Sequence, residues 1–159
     1  MTNRQPTGRV SDGEIIINRH ITHPVTNVWR YLTESALLGE WYGTYSGDPA
    51  TGEVHLTTRE APDHPGAARI LHCTSPERLE VVLASPAGEW QLSVALQEKE
   101  GATALEFRQP VGELSYSAED LGPGWEYYLD ALELALEGGN VDSLAWDDYH
   151  PALCPAYRV

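Results

Sequence analysis

Basic residues are scarce in this chain. Lys and Arg number 10 against 24 Asp and Glu, a formal net charge of −14. A surface of that sign repels nucleic acid and anionic lipid, whose binding rests on cationic neutralisation. No basic cluster interrupts it, so nucleic-acid and membrane partners are not expected. Long apolar runs are also missing, and none approaches the roughly 20 residues of a transmembrane helix. The opening "MTNRQPTGRVSDGE" is polar where a signal peptide needs an apolar core. A cytoplasmic location is therefore expected. The two cysteines, Cys73 and Cys154, are expected as reduced thiols, since a lone pair without an export signal seldom forms a disulfide.

The usual signatures of chemistry are absent too. No HxxxH, HExxH or paired CxxC occurs. His20 and His23 sit at a strand end before a turn, and His55, His64, His72 and His150 are scattered. Catalytic zinc needs at least three converging ligands, so no metal site is expected. There is no GxSxG nucleophile elbow, no GxGxxG and no Walker loop; "GPG" at 122–124 reads as a turn preceding a helix. His72 and Cys73 are adjacent on a strand and point to opposite faces, so they cannot pair as nucleophile and base. No catalytic residue and no cofactor is assigned, and internal repeats and low-complexity segments are missing.

What is present is a single domain's worth of sequence: 159 residues, 42% hydrophobic, with five tryptophans. Residues 1–12 read as a flexible leader, 13–139 as the folded domain, and 140–159 as an extension. "EIIINRHI", residues 14–21, is rich in β-branched residues and predicts a strand. Pro24 then suits the first turn of a helix carrying Val25, Val28, Trp29 and Leu32. A second short helix follows in "ESALLGEWY". From Gly43 to Gln109 the period changes to two, most clearly where Trp90, Leu92, Val94 and Leu96 alternate with Glu89, Gln91, Ser93 and Gln97. Alternation means one buried and one wet face, the mark of an antiparallel sheet. Tight turns such as "QEKEGAT" support hairpins.

The sheet is followed by "GPGWEYYLDALELALEGG", an amphipathic helix. Trp125, Leu129, Leu132 and Leu136 form its apolar stripe, and Glu126, Asp130, Glu133 and Glu137 an acidic one. The like charges at i,i+4 spacing read as a solvated face, or as one that a basic partner could relieve. Tyr127 and Leu134 lie roughly opposite the acidic stripe and need a cover. The tail, with Trp146, Tyr149, Leu153 and Tyr157, is the first candidate, docked on the body or on a neighbouring subunit.

The order of elements, with "INRHITHPVTNVWRYLTESALLGEWYG", "SPERLEVVLAS", "TALEFRQ" and "GWEYYLDALELALEG", resembles the START-like (SRPBCC) helix-grip superfamily. It is most similar to the bacterial family homologous to the C-terminal domain of activators of the heat-shock protein 90 ATPase. The resemblance covers roughly residues 13–139 and implies an α+β fold: a curved antiparallel sheet wrapped around a long C-terminal helix, with two short helices closing one end. Functions in the superfamily include lipid and hormone binding, polyketide cyclisation and co-chaperone activity.

In that fold Trp41, Tyr42, Trp90, Phe107, Trp125 and Tyr128 converge, with Leu129 facing the sheet; Tyr42, Tyr128 or His72 would be the polar anchor, His72 being otherwise an ordinary hydrogen-bonded histidine. These residues either fill a core or line a cavity for a small hydrophobic or aromatic ligand. The leading expectation is non-catalytic ligand binding by a monomer or homodimer. The alternatives are a protein-interaction module resembling an ATPase-activating co-chaperone domain, and a cyclase or hydrolase using the same cavity.

Overall fold

Two tight turns set the register of the sheet. Asp12 and Gly13 both take positive φ, as do Glu100 and Gly101. Each pair makes a two-residue hairpin loop whose twist matches that of the flanking strands. The first joins β1 (Gly8–Ser11) to β2 (Glu14–Ile21); the second joins β7 (Gly88–Lys99) to β8 (Ala102–Pro110). The computed structural model describes residues 6–85, 88–111 and 117–158. Among these, eight strands form one antiparallel sheet in the order β1-β2-β8-β7-β6-β5-β4-β3. The remaining strands are β3 (Gly43–Ser46), β4 (Glu53–Thr58), β5 (Gly66–Thr74) and β6 (Arg78–Ser85). Residues 8–11, expected within a flexible leader, are thus an edge strand, because the Asp12–Gly13 turn folds them back on β2.

Helices cover one face. Pro24 precedes α1 (Val25–Thr33), which buries Val28, Trp29 and Leu32, and α2 (Ser35–Leu38) follows after one residue. The long α3 spans Ala118–Leu136 and buries Trp125, Leu129, Leu132 and Ala135. The arrangement is the α+β helix-grip fold. α3 starts four residues earlier than the sequence pattern indicates, with Glu119 and Asp120 in its first turn, where carboxylates suit the helix dipole. The expected "GPG" turn therefore lies inside the helix. Gly122 is small for a packing reason: a Cβ there would fall within the Tyr157 ring, and one at Gly8 would meet the Tyr157 hydroxyl. The two glycines clear a slot for this tail residue between α3 and β1.

The acidic stripe is a wet face only at its end, where Glu137 is exposed; Glu126, Asp130 and Glu133 turn toward the sheet. Ile15, Ile17 and Ile21 of β2 are fully buried beneath the helices, and Arg19, at the same parity, points inward with them. Its guanidinium bonds Glu126 at 2.9 Å, Asp130 at 2.6 Å and Glu133 at 2.7 Å. Glu126 is 1% exposed. It also accepts from the Thr7 amide at 2.8 Å, the Thr7 hydroxyl, and the Tyr157 hydroxyl at 2.7 Å. Asp130 accepts from the Tyr149 hydroxyl at 2.5 Å. One cation cannot neutralise three carboxylates, so neutral donors from the N-terminal strand and the tail satisfy the rest. Burial alone would lower the Arg19 pKa, but Asp130, Glu133 and Glu126 outweigh it and raise it. Tyr149 also packs edge-on against Tyr127 at 5.3 Å, with Trp146 on the same ring at 6.0 Å.

Arg19→Met leaves Glu126 buried without its cation and is expected to cost about 3 kcal/mol in denaturant unfolding. Gly122→Ala should cost about 2 kcal/mol through overpacking against Tyr157. Gly124→Ala, whose methyl meets only Trp146 at an ordinary 3.9 Å, should instead stabilise by up to about 1 kcal/mol. Burial, then the Glu126 charge, raises the Tyr157 pKa above its ordinary 10.0. The unfolded chain therefore loses this proton first, and stability falls as pH rises above about 10. Unfolding curves of Tyr157→Phe should show a shallower alkaline loss than the parent.

Candidate functional site

α3 lies nearest β1 and β2, and α1 nearest β7 and β8. The inner faces of β4, β5 and β6 receive less helical cover, and there Leu56, Ile70, Leu79, Val81 and Leu83 are only partly buried. These aliphatic side chains face Leu129 and Trp125 of α3 across a cavity of about 180 Å³. α2, Trp41 and Tyr42 close one end, while exposed Pro49 and Cys73 stand at its edge.

The lining is almost entirely apolar. Its described residues include no Asp, Glu, His, Lys or Arg; the polar groups are Thr33, Tyr42, Tyr45 and Cys73. Tyr45 is already satisfied, donating its hydroxyl to the Thr33 carbonyl at 2.6 Å. Burial, and secondarily the Glu60 charge, raises the Tyr42 pKa. Tyr42 therefore stays a neutral phenol. Such a space can hold apolar matter and gives water few partners.

The expected site residues divide into three sets. Trp41, Tyr42, Phe107, Trp125 and Leu129 all line the cavity. Trp125 stacks on Tyr42 at 5.9 Å and leans on Phe107 at 4.7 Å, and its indole N–H donates to the Gln109 side chain at 2.6 Å. Trp90 and Tyr128 instead border a separate groove of about 420 Å³, shared with Trp125, Tyr127 and Trp146. Burial first, then Glu60, raises the Tyr128 pKa.

His72 does not reach the cavity at all. It is exposed, and its ring shares a hydrogen bond with the Thr74 hydroxyl at 2.8 Å. The cause is a β-bulge between Ile70 and His72. An extra residue reverses the alternation, so Ala68 and Ile70 face inward but the next inward side chain is Cys73. The aliphatic wall of β4–β6 escaped an assignment built on aromatics, although "RLEVVLAS" carries Leu79, Val81 and Leu83 at strict two-residue spacing. Outside the cavity, the fold gathers Asp120, His150 and Cys154, which the sequence spacing leaves scattered.

No curated protein is detectably similar in sequence. Solved structures share the fold. CalU16 from Micromonospora echinospora is 21% identical with a TM-score of 0.65, covering 92% of this chain and 94% of its own. EF2215, a conserved protein of unknown function from Enterococcus faecalis, is 18% identical with a TM-score of 0.70, covering 90% and 84%. DynU16, from the dynemicin biosynthetic locus, is 19% identical with a TM-score of 0.62; 82% of this chain matches 50% of that one. Residues 22–137 match the family described as activator of Hsp90 ATPase homolog 1-like protein. The chain thus belongs to that family, and with it to the START-like helix-grip superfamily.

Proposed function

We propose that the chain binds a small hydrophobic or aromatic molecule, without transforming it, in the cavity between α3 and strands β4–β6. The observation that carries this reading is a space of about 180 Å³ with an apolar wall and no charged lining residue. An engineered apolar cavity of about 150 Å³ stays dry and takes up benzene, so an aromatic ring or short aliphatic chain is the right size. Partly exposed aliphatic residues along β4–β6 leave room for a longer tail toward Pro49 and Cys73. Aromatic walls formed by Trp41, Tyr42 and Phe107 favour offset or edge-on ring contacts. The setting of DynU16 in a biosynthetic locus fits a fold that carries small molecules.

A second reading, a co-chaperone-like protein-interaction module, draws on the family's description. Of its expected surface, the acidic stripe, only Glu137 is exposed, while Glu126, Asp130 and Glu133 pair with Arg19 and Glu126 also with the tail. A cyclase or hydrolase would need a titratable group in the cavity with a pKa near neutrality. The lining supplies only phenols, one threonine and the Cys73 thiol at the edge.

Naphthalene, monitored by tryptophan fluorescence and thermal shift, tests the proposal. Saturable binding with quenching is expected, and ligand at a hundred times its Kd should stabilise the fold by about 2.7 kcal/mol. Ala68→Phe places a ring in the cavity from a buried position of β5. It should weaken naphthalene at least tenfold while costing about 1–3 kcal/mol of stability. Binding unaffected by Ala68→Phe would place the ligand elsewhere and refute the assignment.

A further inference from the structure

The tail and the beginning of α3 assemble three side chains of unlike chemistry. A carboxylate oxygen of Asp120, a ring nitrogen of His150 and the sulfur of Cys154 all lie within 4.8 Å of one another. We propose that these residues form a site for a Zn²⁺-class transition metal, completed by water, that clamps the tail onto the start of α3.

The ligand set is one that zinc accepts: imidazole nitrogen near 2.0 Å, carboxylate oxygen near 2.0–2.2 Å and thiolate near 2.3 Å. His150 and Cys154 are separated by three residues in "HPALC", within the spacing common in paired zinc ligands. Asp120 arrives from the other side of the chain fold. Two ligands are already oriented by neighbours, as metal ligands generally are. The Ser117 hydroxyl donates to the second oxygen of Asp120 at 2.9 Å. The His150 ring stacks on Trp146 at 5.6 Å with only 12° between planes, and its Nε2 meets Asp120 at 2.9 Å. Cys154 is buried, whereas Asp120 is exposed, which leaves one side of the cluster open to solvent. A fourth, water-filled position follows from that geometry.

Charge balance agrees. Asp120 and a Cys154 thiolate together cancel the charge of a divalent ion, so the loaded site places no net positive charge beside the positive end of the α3 dipole. Without metal, burial first, then the charges of Asp120 and Glu119, raise the Cys154 pKa, so the sulfur is a protonated thiol and a poor nucleophile. Metal uptake releases that proton and frees the ligating imidazole nitrogen of any proton it carries. No electron transfer is involved, and affinity falls as pH is lowered.

Co²⁺ is the probe, titrated into the reduced full-length chain. One equivalent should bind, with intense tetrahedral d–d bands and a thiolate-to-cobalt charge-transfer band, and Zn²⁺ should bleach both. Cys154→Ser should abolish the charge-transfer band, and Cys73→Ser should leave it intact. His150→Gln and Asp120→Asn should each weaken Zn²⁺ at least tenfold. Absence of the charge-transfer band with the parent chain, or its survival in Cys154→Ser, overturns the site. Asp120 is exposed and Asp120→Asn keeps the Ser117 contact, so this variant decides if Cys154→Ser fails to fold; unchanged Zn²⁺ affinity there also overturns the proposal.

Discussion

Everything in this fold hangs from an arginine that points the wrong way. Arg19 lies at an inward position of β2, flanked by buried isoleucines, where an aliphatic residue would be the ordinary choice. A guanidinium there is tolerable only if it is paired and fully hydrogen-bonded. α3 supplies the partners in successive turns, Glu126, Asp130 and Glu133. The pairing places α3 over the β1–β2 side of the sheet. It also leaves negative charge to be satisfied, which Thr7, Tyr149 and Tyr157 do from the two ends of the chain. A buried ion cluster is weak evidence for net stability, but removing one partner leaves an uncompensated buried charge.

The cavity is the geometric complement of that attachment. A helix about 10 Å across spans roughly two strand spacings of about 4.8 Å. With α3 held near β1 and β2, and α1 near β7 and β8, the apolar inner face of strands β4–β6 receives less helical cover. The side chains of Leu129 and Trp125 reach across but do not fill the gap. Its wall is almost wholly apolar and gives water few hydrogen-bond partners, the property on which the proposed binding of an apolar ligand rests. Of the hydroxyls that line the cavity, Tyr45 is engaged with the Thr33 carbonyl and Tyr42 is held neutral by burial.

Much of this was legible beforehand. The two-residue period of β7 and β8, the Pro24-initiated helix and the order of elements pointed to a helix-gripped antiparallel sheet. What escaped notice shares one physical cause: it depends on contacts between residues far apart in sequence. The bulge after Ile70 reverses the facing of β5, so His72 turns outward and Cys73 inward. Gly122 looks like a turn residue until Tyr157 is seen against it. The acidic stripe looks solvated until Arg19 meets it. A clue to that pairing was nonetheless present, because Arg19 interrupts the inward series Ile15, Ile17, Ile21. Asp120, His150 and Cys154 are likewise joined only by the docking of the tail on α3.

The grip of the sheet on α3 leaves an apolar void bounded by Leu129, Phe107 and Val81. A crystal of the protein pressurised with xenon tests it most directly, since xenon enters apolar cavities and ignores filled cores. Xenon density is expected between α3 and strands β4–β6, removed by Ala68→Phe. A xenon-free interior with Leu129 packed directly on Val81 would contradict it.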